Sequence, residues 1–175
     1  MGIIIRRLAP DDAAAFKTLR MLALQESPAA FASSYEEEKD IPLSTFAERL
    51  AYKSDQGRFG AVDGDDLVGV VALGREGMKK LSHKAIIWGM YMTPACRGRG
   101  IGKALLQQAI ALARAVPDIR QINLVVNASQ LGAVRLYESV GFTVFGRERD
   151  AGMVDGALHD DLHMCLQLAM PSAPQ

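Results

Sequence analysis

Short apolar runs and longer amphipathic stretches succeed one another along the chain, and each predicts an element. Ile3-Ile4-Ile5-Arg6-Arg7-Leu8 is a β-branched run that reads as a strand. Pro10, Asp11 and Asp12 then open a pattern with apolar residues at Phe16, Leu19, Leu22 and Leu24. It predicts a helix whose acidic start suits the positive end of its dipole. Residues 27–42 mix polar and aromatic side chains without a period and predict a loop or short irregular helix, followed by a second helix over about 43–54. Residues 58–62 and 67–73 are strand-like and flank Asp63-Gly64-Asp65-Asp66, a hairpin signal. Residues 85–92 are apolar throughout, which predicts a strand buried on both faces at the centre of a sheet, and Pro94 stops it. An amphipathic helix over 103–116 is stopped by Pro117. A strand over 119–126, a helix over 129–140 stopped by Gly141, and strands over 142–145 and 159–168 complete the pattern. Residues 171–175, with Pro171 and Pro174, should fray.

Strand and helix are mixed in one α+β layered structure, with no internal repeat. A length of 175 residues suits one domain, expected over 1–170. Hydrophobic residues make up 49% of the chain, which sets aside a disordered or collagen-like protein. Twenty Lys and Arg balance 20 Asp and Glu. Zero net charge removes the broad basic surface that a nucleic-acid partner requires. No stretch reaches the about 18 apolar residues of a membrane span, and Met1 to Arg7 lacks the apolar run of a signal peptide. The expected compartment is the cytoplasm, with no membrane partner. Cys96 and Cys165 form no C-x-x-C pair and the chain has only three histidines, so free thiols and no metal site are expected.

The sharpest chemical feature is Arg97-Gly98-Arg99-Gly100-Ile101-Gly102, between the central strand and an amphipathic helix. Alternate glycines let backbone approach a ligand, and the free N–H groups of a helix start form an anion site. The arginines can meet phosphate oxygens in forked hydrogen bonds. A pyrophosphate-bearing cofactor is the natural occupant. Two familiar phosphate loops do not fit. A Walker loop needs Ser or Thr after Gly102-Lys103, where Ala104 stands. A dinucleotide fingerprint needs glycine at Lys103 or Leu105.

Residues 88–142 resemble the GCN5-related N-acetyltransferase superfamily. Its cofactor motif is Arg or Gln, two residues, Gly, one residue, then Gly or Ala. Arg97, Gly100 and Gly102 match it, with Leu105 and Leu106 following. A second motif matches at Asn127, Ala133, Leu136, Tyr137 and Glu138, closing with Gly141-Phe142. The element order extends the resemblance over about 3–168. The resemblance implies a three-layer α/β/α fold whose central, mostly antiparallel sheet splays at the acetyl-CoA site. It also implies direct transfer of an acetyl group from acetyl-CoA to a primary amine, without a metal. By the same resemblance, Arg97 through Gly102, extended by Lys103, cradle the pyrophosphate. The strand end Met90-Tyr91-Met92 offers its backbone to the pantetheine arm, and a bulge or close approach is expected at Gly89. Tyr137 is implied as general acid. Asn127 either caps the backbone at Ser129-Gln130 or contacts pantetheine.

Many members carry a glutamate on the central strand as base, and residues 86–92 contain no carboxylate. The candidates are Glu36, Glu37, Glu38, His83, Asp160, Asp161 and His163, or a water chain reaching one of them. The run Glu36-Glu37-Glu38 also reads as a negative rim drawing in a cationic amine, with Phe31 and Tyr35 as pocket wall. The expected acceptor is a small molecule, an amino acid, or a peptide or protein amino terminus. The alternative is a domain that keeps the cradle and binds or senses acyl-CoA without turnover. Relatives often pair through their last strands, so a homodimer is the expectation for this chain.

Overall fold

The computed structural model describes residues 2–169. Seven strands form one sheet: β1 (Ile4–Arg7), β2 (Gln56–Asp63), β3 (Asp66–Arg75), β4 (Lys84–Met92), β5 (Gln121–Asn127), β6 (Thr143–Val154) and β7 (Ala157–Gln167). Their order is β1-β2-β3-β4-β5-β7-β6, and every neighbouring pair is antiparallel except β4 and β5. The helices are α1 (Ala13–Glu26), the single turn α2 (Tyr35–Glu38), α3 (Leu43–Arg49), α4 (Ile101–Ala115) and α5 (Leu131–Ser139).

Alternation along the strands sends side chains to two cores on opposite faces of the sheet. On one face Val71, Leu73 and Ile87 meet Leu105, Leu106, Ala109 and Ala113 from the apolar stripe of α4. On the other, Val70 and Tyr91 meet Phe16, Leu19 and Ala23 of α1 and Phe46 of α3. Helices on both faces of a mostly antiparallel sheet make the expected three-layer α+β fold. The β2–β3 hairpin closes on Gly64-Asp65, with Gly64 at φ +61° supplying the left-handed backbone that its tight turn requires.

The parallel pair β4 and β5 is short. Only Lys84–Ile86 pair with Gln121–Asn123, and beyond them the two strands part. This is the splay that the family resemblance implies. A bulge lies on the diverging half of β4: Val70 pairs with Tyr91 and Ala72 with Trp88, so the single residue Val71 of β3 lies opposite two of β4, Gly89 and Met90. Gly89 takes φ +61° there, a conformation that a side chain would strain.

Several expected boundaries move. The first helix begins at Ala13, after a 3₁₀ turn over Pro10–Asp12. Asp12 caps that turn rather than lying free at a dipole, accepting from Ala9 N at 2.8 Å and from Arg6. α3 stops at Arg49, and α4 begins at Ile101, two residues before the amphipathic pattern. β4 is central but not buried on both faces, because Trp88 lies where the sheet opens and is 39% exposed. The strand expected over 142–145 runs from Thr143 to Val154. Its continuation Arg147-Glu148-Arg149-Asp150 is charged and solvent-facing, so it carries no hydrophobic signal. The tail expected to fray, 171–175, lies outside the described residues.

Candidate active site

Between β4 and α4 the chain makes a 3₁₀ turn, Pro94–Cys96, and then the glycine loop. Gly98 sits at φ +73° and Gly100 at φ +78°, and a Cβ at either would meet no atom within 4 Å. Both glycines are therefore required by backbone conformation, and the space beside them is open to a ligand. Gly100 caps α4, and Ala104 N bonds back to Gly100 O at 3.1 Å. Helix geometry leaves the N–H groups of Ile101, Gly102 and Lys103 without intrahelical partners. Together with the dipole of a 15-residue helix they define an anion site. Gly102 has a different reason to lack a side chain: its Cβ would stand 3.0 Å from Leu136 and 3.3 Å from Met90. It lets α4 lie against α5 and β4.

Arg97 does not extend toward this site. Its Nε donates to Met92 O at 3.0 Å and its Nη2 to Glu26 at 2.7 Å, tying the loop to the end of α1. The Arg97 hydrogen bond, and one from Ser27, hold the Glu26 carboxyl below its usual range. Arg99 and Lys103 are exposed and supply the loop's positive charge.

Two adjoining cavities, of about 220 and 470 Å³, share Arg20, Phe31, Ser33, Trp88 and Gly89 as walls. The larger spans the mouth of the splay, reaching Val125 and Asn127 on β5 and His159 and Asp161 on β7. The smaller lies between α1, α2, α3 and the sheet. Its floor follows the strand register, in which Arg58 pairs with Ala72 and Ala72 with Trp88. Ala72 is small enough that the larger side chains on either side enclose space above it.

The expected acidic rim is not there. Glu36 pairs with Lys39, and Glu37 closes a capping box with Ser34, whose N–H it accepts at 2.7 Å. Glu38 is buried and accepts two bonds from Arg20, at 2.7 and 3.2 Å, with Arg49 at 3.5 Å. Burial works to raise its carboxyl, but Arg20 and Arg49 outweigh that and hold it below the usual range. The run is consumed by one helical turn and an ion-pair network. Sequence reasoning missed Arg20, Arg49 and Arg58. Their only signal was a charged residue at apolar spacing, as with Arg20 four residues after Phe16 and three before Ala23.

Of the other base candidates, His83 is at the head of β4 and lines neither cavity. Asp160 accepts from Asp150 N and from Arg147, which lower its carboxyl, and it lines neither cavity. His163 pairs with Glu148 at 3.1 Å. Asp161 lines the larger cavity, and burial, followed by the nearby Glu148 charge, raises its carboxyl.

Asn127, at the end of β5, accepts through Oδ1 from Ser129 N at 2.9 Å and Ser129 Oγ at 2.6 Å. It therefore holds the turn before α5 while also lining the larger cavity. Tyr137 is buried on α5, its ring edge-on to Phe142 with centroids 6.0 Å apart. Burial pushes its hydroxyl up to about 12. Met92 is core, and Met90 packs against the same cluster. The Tyr91 side chain belongs to the opposite core. Its hydroxyl is buried without a hydrogen-bond partner among the described residues. Cys96 and Cys165 are free thiols. Among the described residues no cluster of three His, Cys, Asp or Glu could hold a metal ion, and no helix is long and apolar enough to cross a membrane.

An open parallel pair, a bulge at Gly89 and a glycine-capped helix border one cleft. The model of the acetyltransferase (GNAT) family matches residues 19–142, and the chain belongs to that family. A GNAT-family acetyltransferase from Streptococcus pneumoniae superposes with a TM-score of 0.84 at 22% identity, covering 95% of this chain and all of that one. The yncA protein of Salmonella typhimurium, solved with its cofactor acetyl-CoA, gives 0.80 at 22% identity, covering 100% and 99%. A phosphinothricin acetyltransferase from Sinorhizobium meliloti, in complex with acetyl-CoA, gives 0.78 at 19% identity, covering 100% and 93%. No curated protein matches the chain significantly in sequence.

Proposed function

We propose that residues 1–170 form one acetyl-CoA-dependent N-acetyltransferase domain acting on a primary amine. The observation that carries this reading is the cleft itself: β4 and β5 part after three rungs, and the loop with Gly98 and Gly100 lies after the open end of β4. The residues fit the cofactor, since the helix-start N–H groups and the open space beside both glycines suit a pyrophosphate. Lys103 and Arg99 add charge. The backbone of β4 around Met90, Tyr91 and Met92, freed of β5 on one edge while β3 holds the other, pairs with the amide-bearing arm, and Gly89 gives that arm close access. Acetyl-CoA, when bound, supplies a thioester carbonyl for direct transfer to an amine.

Asp161 takes the proton from the incoming ammonium group. Its carboxyl lines the cavity, and its raised affinity for protons suits a base better than the paired Asp160 or Glu38. Tyr137 stays protonated at any working pH. Full proton transfer to a thiolate, whose thiol titrates near ~8.5, is uphill from there. Tyr137 therefore acts as a hydrogen-bond donor that strengthens as negative charge builds on the leaving sulfur. Two copies meet at the open edge of β6, where Val144, Phe145 and Met153 are exposed.

Release of free CoA thiol across a panel of amines tests the reading. Amine-dependent release is expected. Acetyl-CoA binding without release for any amine would leave the non-catalytic acyl-CoA-binding reading in its place.

A further inference from the structure

The smaller cavity is lined by three guanidiniums, Arg20, Arg49 and Arg58, against one carboxylate, Glu38. Arg20 and Arg49 are both engaged with that carboxylate. Arg58 is not: it donates to the Arg49 carbonyl and has no carboxylate partner among the described residues. Its guanidinium stands between the Phe16 and Trp88 rings, 5.7 and 5.5 Å from their centroids. Burial, with the like charges of Arg49 and Arg20, pulls it down to about 10, so it remains charged at neutral pH. A partly buried cation without a carboxylate partner is costly, and folded chains rarely keep one without a use. The register places it usefully. Arg58, Ala72 and Trp88 form one row across β2, β3 and β4, and Gly89 follows Trp88. The cation therefore faces the same space that reaches the bulge.

We propose that this cavity is an anion subsite that selects acceptors carrying a carboxylate close to the reactive amine, that is, small amino acids. The carboxylate meets the Arg58 fork, flanked by Arg20 and Arg49, and the amine points to Gly89. The remainder of the acceptor extends into the larger cavity. The excess positive charge disfavours polyamines. This rests on the acetyltransferase reading above and narrows it.

The test compares free amino acids with their carboxamides and with spermidine in the CoA-release assay, on wild type and Arg58→Gln. In parallel, a 2-hydroxy acid, which has the carboxylate but no amine, is titrated calorimetrically into both proteins. The acids should exceed their amides in kcat/KM by on the order of tenfold to a hundredfold, the range of a charged hydrogen-bond pair. Arg58→Gln should bring that ratio near unity and abolish hydroxy-acid binding, leaving the KM for acetyl-CoA unchanged. Amides as good as acids, a preference for spermidine, or an undiminished ratio in Arg58→Gln overturns the subsite. If the variant does not fold, the wild-type ratio decides. Hydroxy-acid binding that depends on Arg58, with no CoA release for any amine, keeps the subsite and removes the enzyme reading. No release and no binding overturns both.

Discussion

The glycine loop and the arginine cavity both offer positive potential, and they are built by opposite means. The loop uses backbone: N–H groups at the start of α4, left-handed glycines and exposed Arg99 and Lys103 that can move to their ligand. The cavity uses partly buried side chains from α1, α3 and β2, two of them held on the buried Glu38 and the third, Arg58, on the Arg49 carbonyl before anything binds. A site of the first kind tolerates loss of one charge, whereas in the second every group depends on the others.

Glu38→Gln presses hardest on that difference. It keeps the shape but removes the one carboxylate that lines this cavity among the described residues, and should lower the unfolding free energy by about 3 kcal/mol in urea titration. Glu38 is held below its usual value, so its contribution is present at neutral pH. It should be lost as pH falls from 4.5 through the depressed native value, and the variant should lack that acid limb. Tyr137→Phe comes next: kcat should fall on the order of a hundredfold while acetyl-CoA affinity holds, as read by single-turnover kinetics and calorimetry.

Asp161→Asn should slow turnover and remove the acid limb of the pH–rate profile, whose midpoint in the wild type should lie above the ordinary 3.8. A carboxyl raised by the fold weighs against folding once ionised. The same variant should therefore match or exceed wild-type stability at neutral pH. Within the loop, backbone should outweigh charge. Gly100→Ala must hold φ +78° at a cost of about 1–2 kcal/mol and should weaken acetyl-CoA by about tenfold. Lys103→Ala should cost only a few-fold, about 0.3–1 kcal/mol, and less in high salt.

The loop could be recognised in the sequence because its chemistry is local: six consecutive residues carry the glycines, the charges and the helix start. The central strand and α4 were legible for the same reason, each announcing itself by its own pattern. The cavity was not legible. Arg58 gains its meaning only from Ala72 and Trp88, which pairing brings alongside it from 14 and 30 residues away. Glu36-Glu37-Glu38 misled because adjacent charges suggest one shared face. A single helical turn instead sends them to a surface lysine, a cap and a partly buried arginine pair. The outer half of β6 was silent because a solvent-facing edge strand has no apolar face to show.

The parting of β4 from β5 has a consequence for amide hydrogen exchange. A strand bonds to its two neighbours through alternate residues, so past Ile86 the amides of β4 divide into two populations. Those directed at β3 should exchange slowly with or without ligand. Those directed at the gap should exchange quickly in the free protein and slow sharply once an amide-bearing arm fills it. One strand would then report global stability on one edge and occupancy on the other.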